Sequence, residues 1–385
     1  RGRGIHIDLF APQMPGTYLD SGNVFRFHSV PAYYDAETRI SVPFELKYLK
    51  RAFTHPYQVI HSHTPGPLGI TGGQISKFRS IPHIHTFHGY LPDYARYFFG
   101  DSDFSVSIMN RFSSWWGNQA DYLITPSQKI KHWLELNGVE REIRVIPNGI
   151  NVLTYAPATS FRDRTVKKGL LVNKGWINDD DFVLLYVGRI AKEKSVERLI
   201  DFCNPLLNNL RKSKLVLVGD GPDRLCLEEK VRQLGLQGRV IFTGYMPSSS
   251  MPSVYHSADI FTFLSTSETQ GMVVLEAIAS GLPVVVYKDQ AFEQMVFDEH
   301  NGYIVDSQNQ FTDAVTKLYY DHATWDKFSN HGLAIAKDFD IGITINRIME
   351  YYDYVMSNFR LRSTSSSSYV RANESAQLDS GKERD

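Results

Sequence analysis

The chain has 385 residues, of which 42% are hydrophobic and 13% aromatic, enough to form the cores of about two globular domains. Its formal net charge of −1 argues against a protein dedicated to nucleic acid, so no nucleic-acid partner is expected. The two cysteines, Cys203 and Cys226, form no metal-ligand cluster, and no apolar run approaches the roughly 18 residues that span a bilayer.

Residues 1–150 alternate between short apolar runs and segments of helical periodicity, a pattern typical of an α/β domain. Strands are predicted at 5–10, 58–61, 83–87, 122–125 and 143–146. Helices are predicted at 104–116 and 128–137. We therefore predict a first domain over residues 1–150.

A polar, basic and turn-rich segment at 148–181 is predicted to link this domain to a second one at 151–340. The later strands are predicted at 182–187, 215–218, 240–242, 260–264 and 284–286. The later helices are predicted at 196–210, 224–234, 254–257 and 271–280. Because these strands are apolar throughout, they indicate a doubly wound parallel sheet that is covered on both faces. A closing helix is predicted at 341–360, and the Ser-rich, charged residues 361–385 are predicted to be a disordered tail.

The segment 265–286, STSETQGMVVLEAIASGLPVVV, carries most of the chemistry. Glu268 follows a predicted strand, at the edge of the sheet where open α/β folds bind ligands. Gly271 and Met272, followed by Val273, begin a helix whose first N–H groups suit a diphosphate. Glu276 is an acid within an otherwise apolar helix, and a ribose diol would be a suitable partner for it. The alternative is that the two acids only cap the helix or lie on its surface. That alternative fits either acid taken alone better than it fits the whole string.

Glu268, seven residues and then Glu276 resemble the E-X7-E signature of the retaining GT-B glycosyltransferases, and the resemblance covers roughly residues 1–360. It implies two Rossmann-like, doubly wound domains that face a cleft, with the last helix crossing back to the first domain. It also implies that Glu268 lies near the donor sugar and that Glu276 binds the ribose of the nucleotide.

The string VGRIAKEKS at 187–195 follows a predicted strand and supplies two cations. Arg189 and Lys194 can stabilise a departing nucleoside diphosphate, although a solvated basic turn is the alternative. Gly188, Arg189 and Lys194 match the family's G-R-x4-K pattern, which implies catalysis without a metal cofactor. The resemblance also places Gly219 and Tyr245 in loops beside the nucleotide. Two D-x-D strings, at 101–103 and 338–340, are interpreted as surface turns, so no metal site is expected.

Histidines cluster at 61–63 and 83–88, but their spacing is a poor match to a metal site. Residues that line a site are the better interpretation of the cluster, while any single histidine fits a core or loop role. The string HTFHGYLPDYARYF at 85–98 resembles bacterial glucosyl-diacylglycerol synthases, in which a histidine similar to His88 lies near the reacting sugar. Asp93 and Tyr94 match the acidic-Tyr pair of that segment and are assigned to the acceptor side. The string KDQAFEQMV at 288–296 resembles the same enzymes, whereas EKS at 193–195 resembles sulfoquinovosyl-diacylglycerol synthases.

A lipid acceptor would require a surface that faces a membrane. Aromatic and basic residues between Phe98 and Trp133 suit such a surface, although ordinary core aromatics with a solvated basic face are the alternative. The protein is therefore expected in the cytoplasm, peripherally bound to the inner face of the membrane.

The opening RGRGIHIDLFAP resembles the end of the family's first helix and its second strand. The first strand, the Gly-rich loop and most of the first helix are expected to be missing, and weak or no activity is expected of this chain.

The leading hypothesis is a retaining hexosyltransferase that moves glucose from UDP-glucose to diacylglycerol. Its expected partners are a nucleotide sugar and a lipid at a membrane surface, with no obligate protein partner. Sulfoquinovosyl or mannosyl transfer to a lipid and transfer to a soluble acceptor stay open. The non-enzyme alternative is an inactive GT-B fragment that binds nucleotide sugar.

Overall fold

The computed structural model describes residues 4–16, 22–32, 35–63, 65–94, 102–156 and 169–380. The chain divides into two compact units, each with its own sheets. The first unit comprises Arg1–Thr125, Ile130–Ile146 and Asn346–Asp385. The second unit comprises Pro126–Lys129 and Pro147–Ile345. Both are Rossmann-like α/β domains, as the sequence predicts.

The first unit is built on a four-stranded parallel sheet in the order β5-β6-β7-β8, with two smaller sheets, β1-β2 and β3-β4. Its strands are β1 (Leu9–Pro12), β2 (Val24–Phe27), β3 (Ser29–Ala32), β4 (Asp35–Ser41), β5 (Ile60–Ser62), β6 (His83–Thr86), β7 (Tyr122–Thr125) and β8 (Glu142–Val145). Its helices are α1 (Leu46–Thr54), α2 (Pro67–Arg79), α3 (Asp103–Gln119) and α4 (Gln128–Leu136). The opening strand is Leu9–Pro12, so the predicted strand at 5–10 is displaced, and the prediction lacks β2 to β4, α1 and α2.

Apolar side chains cover both faces of the four-stranded sheet. On one face, Leu123 of β7 packs with Trp116 of α3 and Ile130 of α4. On the other face, Ile84 of β6 packs with Tyr351 of the last helix. This two-sided cover explains why every residue of β6 and β7 is buried.

The second unit is built on a six-stranded parallel sheet in the order β11-β10-β9-β12-β13-β14. Its strands are β9 (Phe182–Val187), β10 (Ser213–Val218), β11 (Val240–Gly244), β12 (Ile260–Phe263), β13 (Val284–Tyr287) and β14 (Gly302–Val305). Its helices are α5 (Val152–Tyr155), α6 (Gly169–Asn173), α7 (Val196–Asn209), α8 (Arg224–Gln233), α9 (Met251–His256), α10 (Met272–Ala279), α11 (Gln308–Tyr320) and α12 (His322–Ala336). Counted from β9, the order is that of a doubly wound Rossmann fold, and it reverses between β9 and β12. The prediction lacks β14, α5, α6, α11 and α12.

Part of the predicted linker at 148–181 belongs to the body of the second unit. Leu171 of α6 is fully buried in its core, and Asp181 accepts a hydrogen bond of 2.7 Å from the Asn178 amide. The linker interpretation is therefore wrong for 148–156 and 169–181, while 157–168 lie outside the described residues.

The last helix, α13 (Ile341–Ser380), begins beside Asp340, whose Oδ1 accepts a bond of 2.9 Å from the Gly342 amide. From Asn346 onward it is counted with the first unit. The helix continues past residue 360, which corrects the predicted disordered tail as far as Ser380. Residues 361–380 contain neither Gly nor Pro, so nothing in their backbone chemistry ends the helix. Of the helices that the structure describes, none combines the length and the apolar character that crossing a bilayer requires.

Candidate functional site

The reversal of strand order in the second unit places the carboxyl ends of β9 and β12 side by side. Open α/β sheets bind ligands at such a point because the loops on its two sides diverge and leave a crevice. The loop after β9 carries Gly188, Arg189 and Lys194, and the loop after β12 carries Glu268.

An ion pair joins these two loops. Lys194 Nζ donates to Glu268 Oε1 at 2.6 Å, and Ser265 Oγ donates to the same oxygen at 2.9 Å. The side chains of Lys194 and Glu268 are 24% and 13% exposed, so solvent screens their attraction less than that of a surface pair. Ser267 adds a bond of 3.0 Å from its hydroxyl to the Glu193 carbonyl. The two loops therefore hold each other in place.

Arg189 is exposed in the loop after β9, and its backbone carbonyl is held by a hydrogen bond. The hydroxyl of the fully buried Tyr186 donates to the Arg189 carbonyl at 2.9 Å. Burial, and then the negative charges of Glu268 and Glu193, raise the pKa of Tyr186 well above its ordinary value, so the hydroxyl keeps its proton. The Arg189 side chain is thus presented on a rigid backbone.

Glycines let the loops after β9 and β10 touch through their backbones. A Cβ on Gly219 would lie 2.0 Å from the Gly188 carbonyl oxygen, and one on Gly221 would lie 2.2 Å from that of Ile190. The Ile190 amide donates to the Asp220 carbonyl at 2.9 Å. These contacts explain why positions 219 and 221 are occupied by glycine. Tyr245 directly follows β11 at the same edge of the sheet and is 79% exposed.

Helix α10 begins at the same edge, with Gly271 as its N-cap. The φ of Gly271 is +81°, and a Cβ there would lie 2.5 Å from Phe292 Cε1, so the position requires glycine. The Val274 amide is the first to bond back to the Gly271 carbonyl, at 3.0 Å. The preceding amides, Met272 and Val273, belong to the first turn, whose N–H groups point out of the helix.

Two tyrosines hold Glu276 in the interior of α10. Tyr255 donates its hydroxyl to Glu276 Oε2 at 2.7 Å, and Tyr155 is a second hydrogen-bond partner. Burial raises the pKa of Glu276, while the two hydrogen bonds oppose that rise. Neither tyrosine was predicted from the sequence, because Tyr255 lies in a short helix and Tyr155 in the predicted linker, and neither has a local signal.

Lys129 and Asp289 were also missed as a pair, because 160 residues separate them. Lys129, in a segment of the second unit, donates to both carboxylate oxygens of Asp289 at 2.8 and 2.6 Å and to the Thr266 carbonyl at 2.9 Å. Burial raises the pKa of Asp289, and the bond from Lys129 opposes that rise. The basic-aromatic surface predicted in the sequence therefore cannot include Lys129. Nor can it include Trp133, which is buried and donates to Asn110 at 3.0 Å.

In the first unit, His88 lies just past β6. Its Nε2 is 2.9 Å from His63 Nδ1, and the two rings are stacked with centroids 5.2 Å apart. The pKa of His88 is lowered to about 4, first by the protein that surrounds the ring and then by His63. Asp93 and Tyr94 end the 3-10 helix Leu91–Tyr94, and their side chains lie outside the described residues.

The other clustered histidines have structural roles. Trp116 Nε1 donates to His85 Nε2 at 2.9 Å, and His85 Nδ1 lies 2.8 Å from Ser62 Oγ. The same hydroxyl lies 2.8 Å from His83 Nε2. Since an indole N–H only donates, His85 carries its proton on Nδ1. These hydrogen bonds connect β6 to β5 and to α3.

One group of described side chains brings potential metal ligands together: atoms of His6, Asp8 and His55 all lie within 4.8 Å of one another. Asp8, however, accepts a bond of 2.8 Å from Arg51 Nε and another from Tyr57. Burial would raise the pKa of Asp8, but these hydrogen bonds outweigh it and the pKa is lowered. The guanidinium already neutralises the carboxylate and disfavours a second cation. Of the two D-x-D strings, Asp338 and Asp340 lie in a turn, and Asp101 is outside the described residues.

Two family models match the chain. One, described as Glycosyl transferases group 1, matches residues 170–333, and the other, Glycosyltransferase Family 4, matches residues 1–152.

Similar proteins act on sugars. An alpha-monoglucosyldiacylglycerol synthase of Streptococcus pneumoniae is 30% identical over 292 residues, which cover 76% of this chain and 66% of the relative. The chain thus spans just under two thirds of that relative. A sulfoquinovosyl transferase of Arabidopsis thaliana is 26% identical over 295 residues, covering 75% of this chain and 54% of the relative. Among solved structures, Anabaena HepE in complex with UDP-glucose superposes with a TM-score of 0.67 at 23% identity, covering 86% of each chain.

Proposed function

Because the chain belongs to the group 1 glycosyltransferases of GT-B fold, we propose that it transfers glucose from UDP-glucose to diacylglycerol and retains the configuration at the anomeric carbon. The observation that carries the donor half of this proposal is the convergence of Lys194, Glu268 and the start of α10 at the point where the strand order reverses. A site of this kind suits a nucleotide that bears a diphosphate.

Each donor-side residue has a chemical role in the proposal. Glu276 accepts the hydroxyls of the ribose, and Glu268 contacts the donor sugar. Arg189 and Lys194, with the N–H groups of Met272 and Val273, carry the negative charge that develops on UDP as it leaves. Two fixed cations and a helix start neutralise a diphosphate without a metal ion, so we propose metal-independent transfer.

The acceptor half rests on the glucosyl-diacylglycerol relative and on residues of the first unit. In the proposal His88 contacts the transferred sugar, and Asp93 and Tyr94 lie on the acceptor side. Helix α3 exposes Phe104 (74%) and Trp115 (51%), an arrangement that suits contact with a lipid surface. We therefore propose that the protein acts peripherally at a membrane.

The test is to incubate the purified protein with labelled UDP-glucose and vesicles that contain diacylglycerol. We expect a labelled glycolipid whose anomeric configuration matches that of the donor, in buffer with a metal chelator. Glu276→Gln should abolish most of the product. No glycolipid together with glucosylation of a soluble sugar would refute the lipid acceptor, and product of inverted configuration would refute retention.

A second candidate is sulfoquinovosyl transfer to the same lipid, which the Arabidopsis relative favours. Running the vesicle assay with UDP-sulfoquinovose and GDP-mannose beside UDP-glucose decides the donor. Titration with UDP in a calorimeter separates a nucleotide-binding protein without activity from one that has lost the site.

A further inference from the structure

The loop between β12 and α10 is held at two points by one short segment, Pro126–Lys129, which we call the brace. The brace is counted with the second unit, although the residues on both sides of it are counted with the first. Lys129 Nζ donates to the Thr266 carbonyl at 2.9 Å, and the hydroxyl of Ser127 donates to the Thr269 carbonyl. These two carbonyls lie on either side of the acid that we assign to the donor sugar. The brace therefore fixes the backbone around that acid, in addition to the contacts from the loop after β9.

The ammonium group of Lys129 has three N–H donors, and the fold offers an acceptor to each of them. Two acceptors are the carboxylate oxygens of Asp289, at 2.8 and 2.6 Å, and the third is the Thr266 carbonyl. Asp289 is itself fixed in the loop after β13, because its Oδ1 accepts a bond of 2.7 Å from the Ala291 amide. Lys129 thus connects the loops after β12 and β13, and its donors are occupied by the protein rather than available to a diphosphate.

Lys129 also balances the negative charge beside Glu268. Burial raises the pKa of Asp289, and the charge of Glu268 adds to that rise, so the two carboxylates are close enough to repel each other. Without Lys129, the largely buried Asp289 would lose its cation, which is strongly unfavourable for a carboxylate. We expect the loop to relieve this repulsion by moving Glu268 out of its present position.

The other end of the loop has an anchor that does not involve Lys129 or Ser127. The buried side chain of Gln270 accepts a bond of 2.8 Å from the Asn148 amide and donates one of 3.0 Å to the Asn148 carbonyl. Gln270 directly precedes Gly271, the N-cap of α10. The start of α10, which we assign to the diphosphate, is therefore held in place separately from Glu268.

We propose that Lys129 and Ser127 are positioning residues for Glu268, and that they affect the transfer of the sugar rather than the binding of the nucleotide. The effect on transfer rests on the proposed function, in which Glu268 contacts the donor sugar. The ordering of the loop does not, because it follows from hydrogen bonds to two backbone carbonyls. The two statements can therefore be tested separately.

The first test is hydrogen exchange of the protein without substrate, measured by mass spectrometry on peptides that cover residues 264–270. Lys129→Met removes the ammonium and should speed exchange in these peptides about tenfold. Ser127→Ala removes one hydroxyl and should have a smaller effect in the same direction. Unchanged exchange in Lys129→Met would overturn the proposal. If Lys129→Met does not fold, unchanged exchange in Ser127→Ala overturns it instead.

Two further variants separate the position of Lys129 from the loss of an ion pair. Lys230 of α8 also binds two carboxylate groups, those of Glu197 at 3.0 Å and Asp201 at 2.7 Å, and its side chain is similarly buried. Lys230→Met is therefore the matched control and should leave exchange at 264–270 unchanged. Lys129→Arg keeps a cation that can bind both oxygens of Asp289 and should restore most of the protection. Equal acceleration in Lys129→Met and Lys230→Met would overturn the proposal.

The second test compares nucleotide binding with turnover. In Lys129→Met we expect kcat in the glycolipid assay to fall about 10-fold to 100-fold, because Glu268 is displaced, while the Kd for UDP stays that of the wild type. Lys129→Arg should recover most of the loss in kcat. A loss of UDP affinity as large as the loss of kcat would overturn the proposal. If exchange in the loop depends on Lys129 but the wild-type protein transfers no sugar, the proposed function fails and the positioning of Glu268 stands.

Discussion

Lys194 Nζ lies 2.6 Å from Glu268 Oε1, although 74 residues separate the two in sequence. The cation that we assign to the departing diphosphate is thus already engaged by the acid that we assign to the donor sugar. Donor binding must therefore exchange one anionic partner of Lys194 for another, and this exchange can be measured.

Replacing the acid should separate binding from turnover. In Glu268→Gln the amide holds Lys194 less strongly, so UDP should bind about threefold to tenfold more tightly, while transfer falls about 100-fold or more. Calorimetry with UDP and the glycolipid assay measure the two effects. Weaker binding of UDP by Glu268→Gln would contradict the exchange.

Replacing the cation Lys194 should lower both the affinity for UDP and the rate of transfer. Lys194→Met removes the positive charge from the leaving group, and transfer should fall about 100-fold to 1000-fold. Lys192→Met alters a neighbouring exposed lysine of the same turn and is the matched control. Equal losses in the two variants would mean that overall charge, rather than the position of Lys194, governs the reaction.

Glu276 should give nucleotide binding a pH dependence. Burial raises the pKa of this carboxyl, and the ribose requires its ionised form, so UDP affinity should fall on acidification at a higher pH than an ordinary glutamate would give. An acid whose pKa is raised in the folded state binds more protons there than in the unfolded chain. It therefore lowers stability as pH rises through the interval between the two pKa values.

Glu276→Gln should consequently bind UDP more weakly, and its affinity should no longer fall on acidification. Its stability near pH 7 should not decrease. Calorimetry at several pH values and thermal melting test this. Tyr255→Phe is the companion variant, since it removes one hydrogen bond that opposes the rise and should shift the fall to still higher pH. A melting temperature that drops strongly in Glu276→Gln would assign the acid a structural role.

Substitutions at Gly271 and Gly235 separate the cost of a left-handed backbone from the cost of a steric clash. Gly271→Ala meets both a φ of +81° and a contact of 2.5 Å with Phe292, whereas Gly235→Ala meets a φ of +69° and open space. The left-handed conformation alone costs about 1–2 kcal/mol, so Gly235→Ala should lose that much free energy of unfolding and Gly271→Ala more. UDP binding should fall only in Gly271→Ala. Urea unfolding gives the stabilities, and equal values would show that Phe292 moves aside without cost.

Tyr245 should contribute to binding rather than to stability, because its side chain is 79% exposed. If it stacks on the uracil, Tyr245→Ala should weaken UDP binding by about 1 kcal/mol or more, roughly fivefold, and leave the melting temperature unchanged. Tyr320→Ala, at a tyrosine that is 69% exposed, is the control. The same UDP affinity in both variants would remove Tyr245 from the site.

The sequence alone predicted the sheet of the second unit well, because strands covered on both faces are short, apolar and separated by helices. It could not predict β2 and β3, which are only partly buried and are mixed in polarity. The continuation of α13 beyond residue 360 was missed because composition indicated disorder, although no helix-breaking residue occurs before Gly381.

In the candidate site, the residues that were predicted belong to local motifs whose spacing can be read in the sequence. The partners that orient them were not predicted, because they come from distant segments. Tyr155 and Tyr255 meet Glu276 only after α5, α9 and α10 pack together. Lys129 meets Asp289 only after its segment joins the second unit.

The reversal of strand order also determines where the second unit could be divided. β9 to β11 and β12 to β14 form two consecutive halves that meet along one seam, where Leu184 pairs with Ile260 and Leu185 with Phe261. A nick in the exposed turn at Ser248 would leave Lys194 on one fragment and Glu268 on the other. Neither fragment would hold the ion pair, so recovered UDP binding would report that the halves had found each other, as in a split-protein complementation reporter.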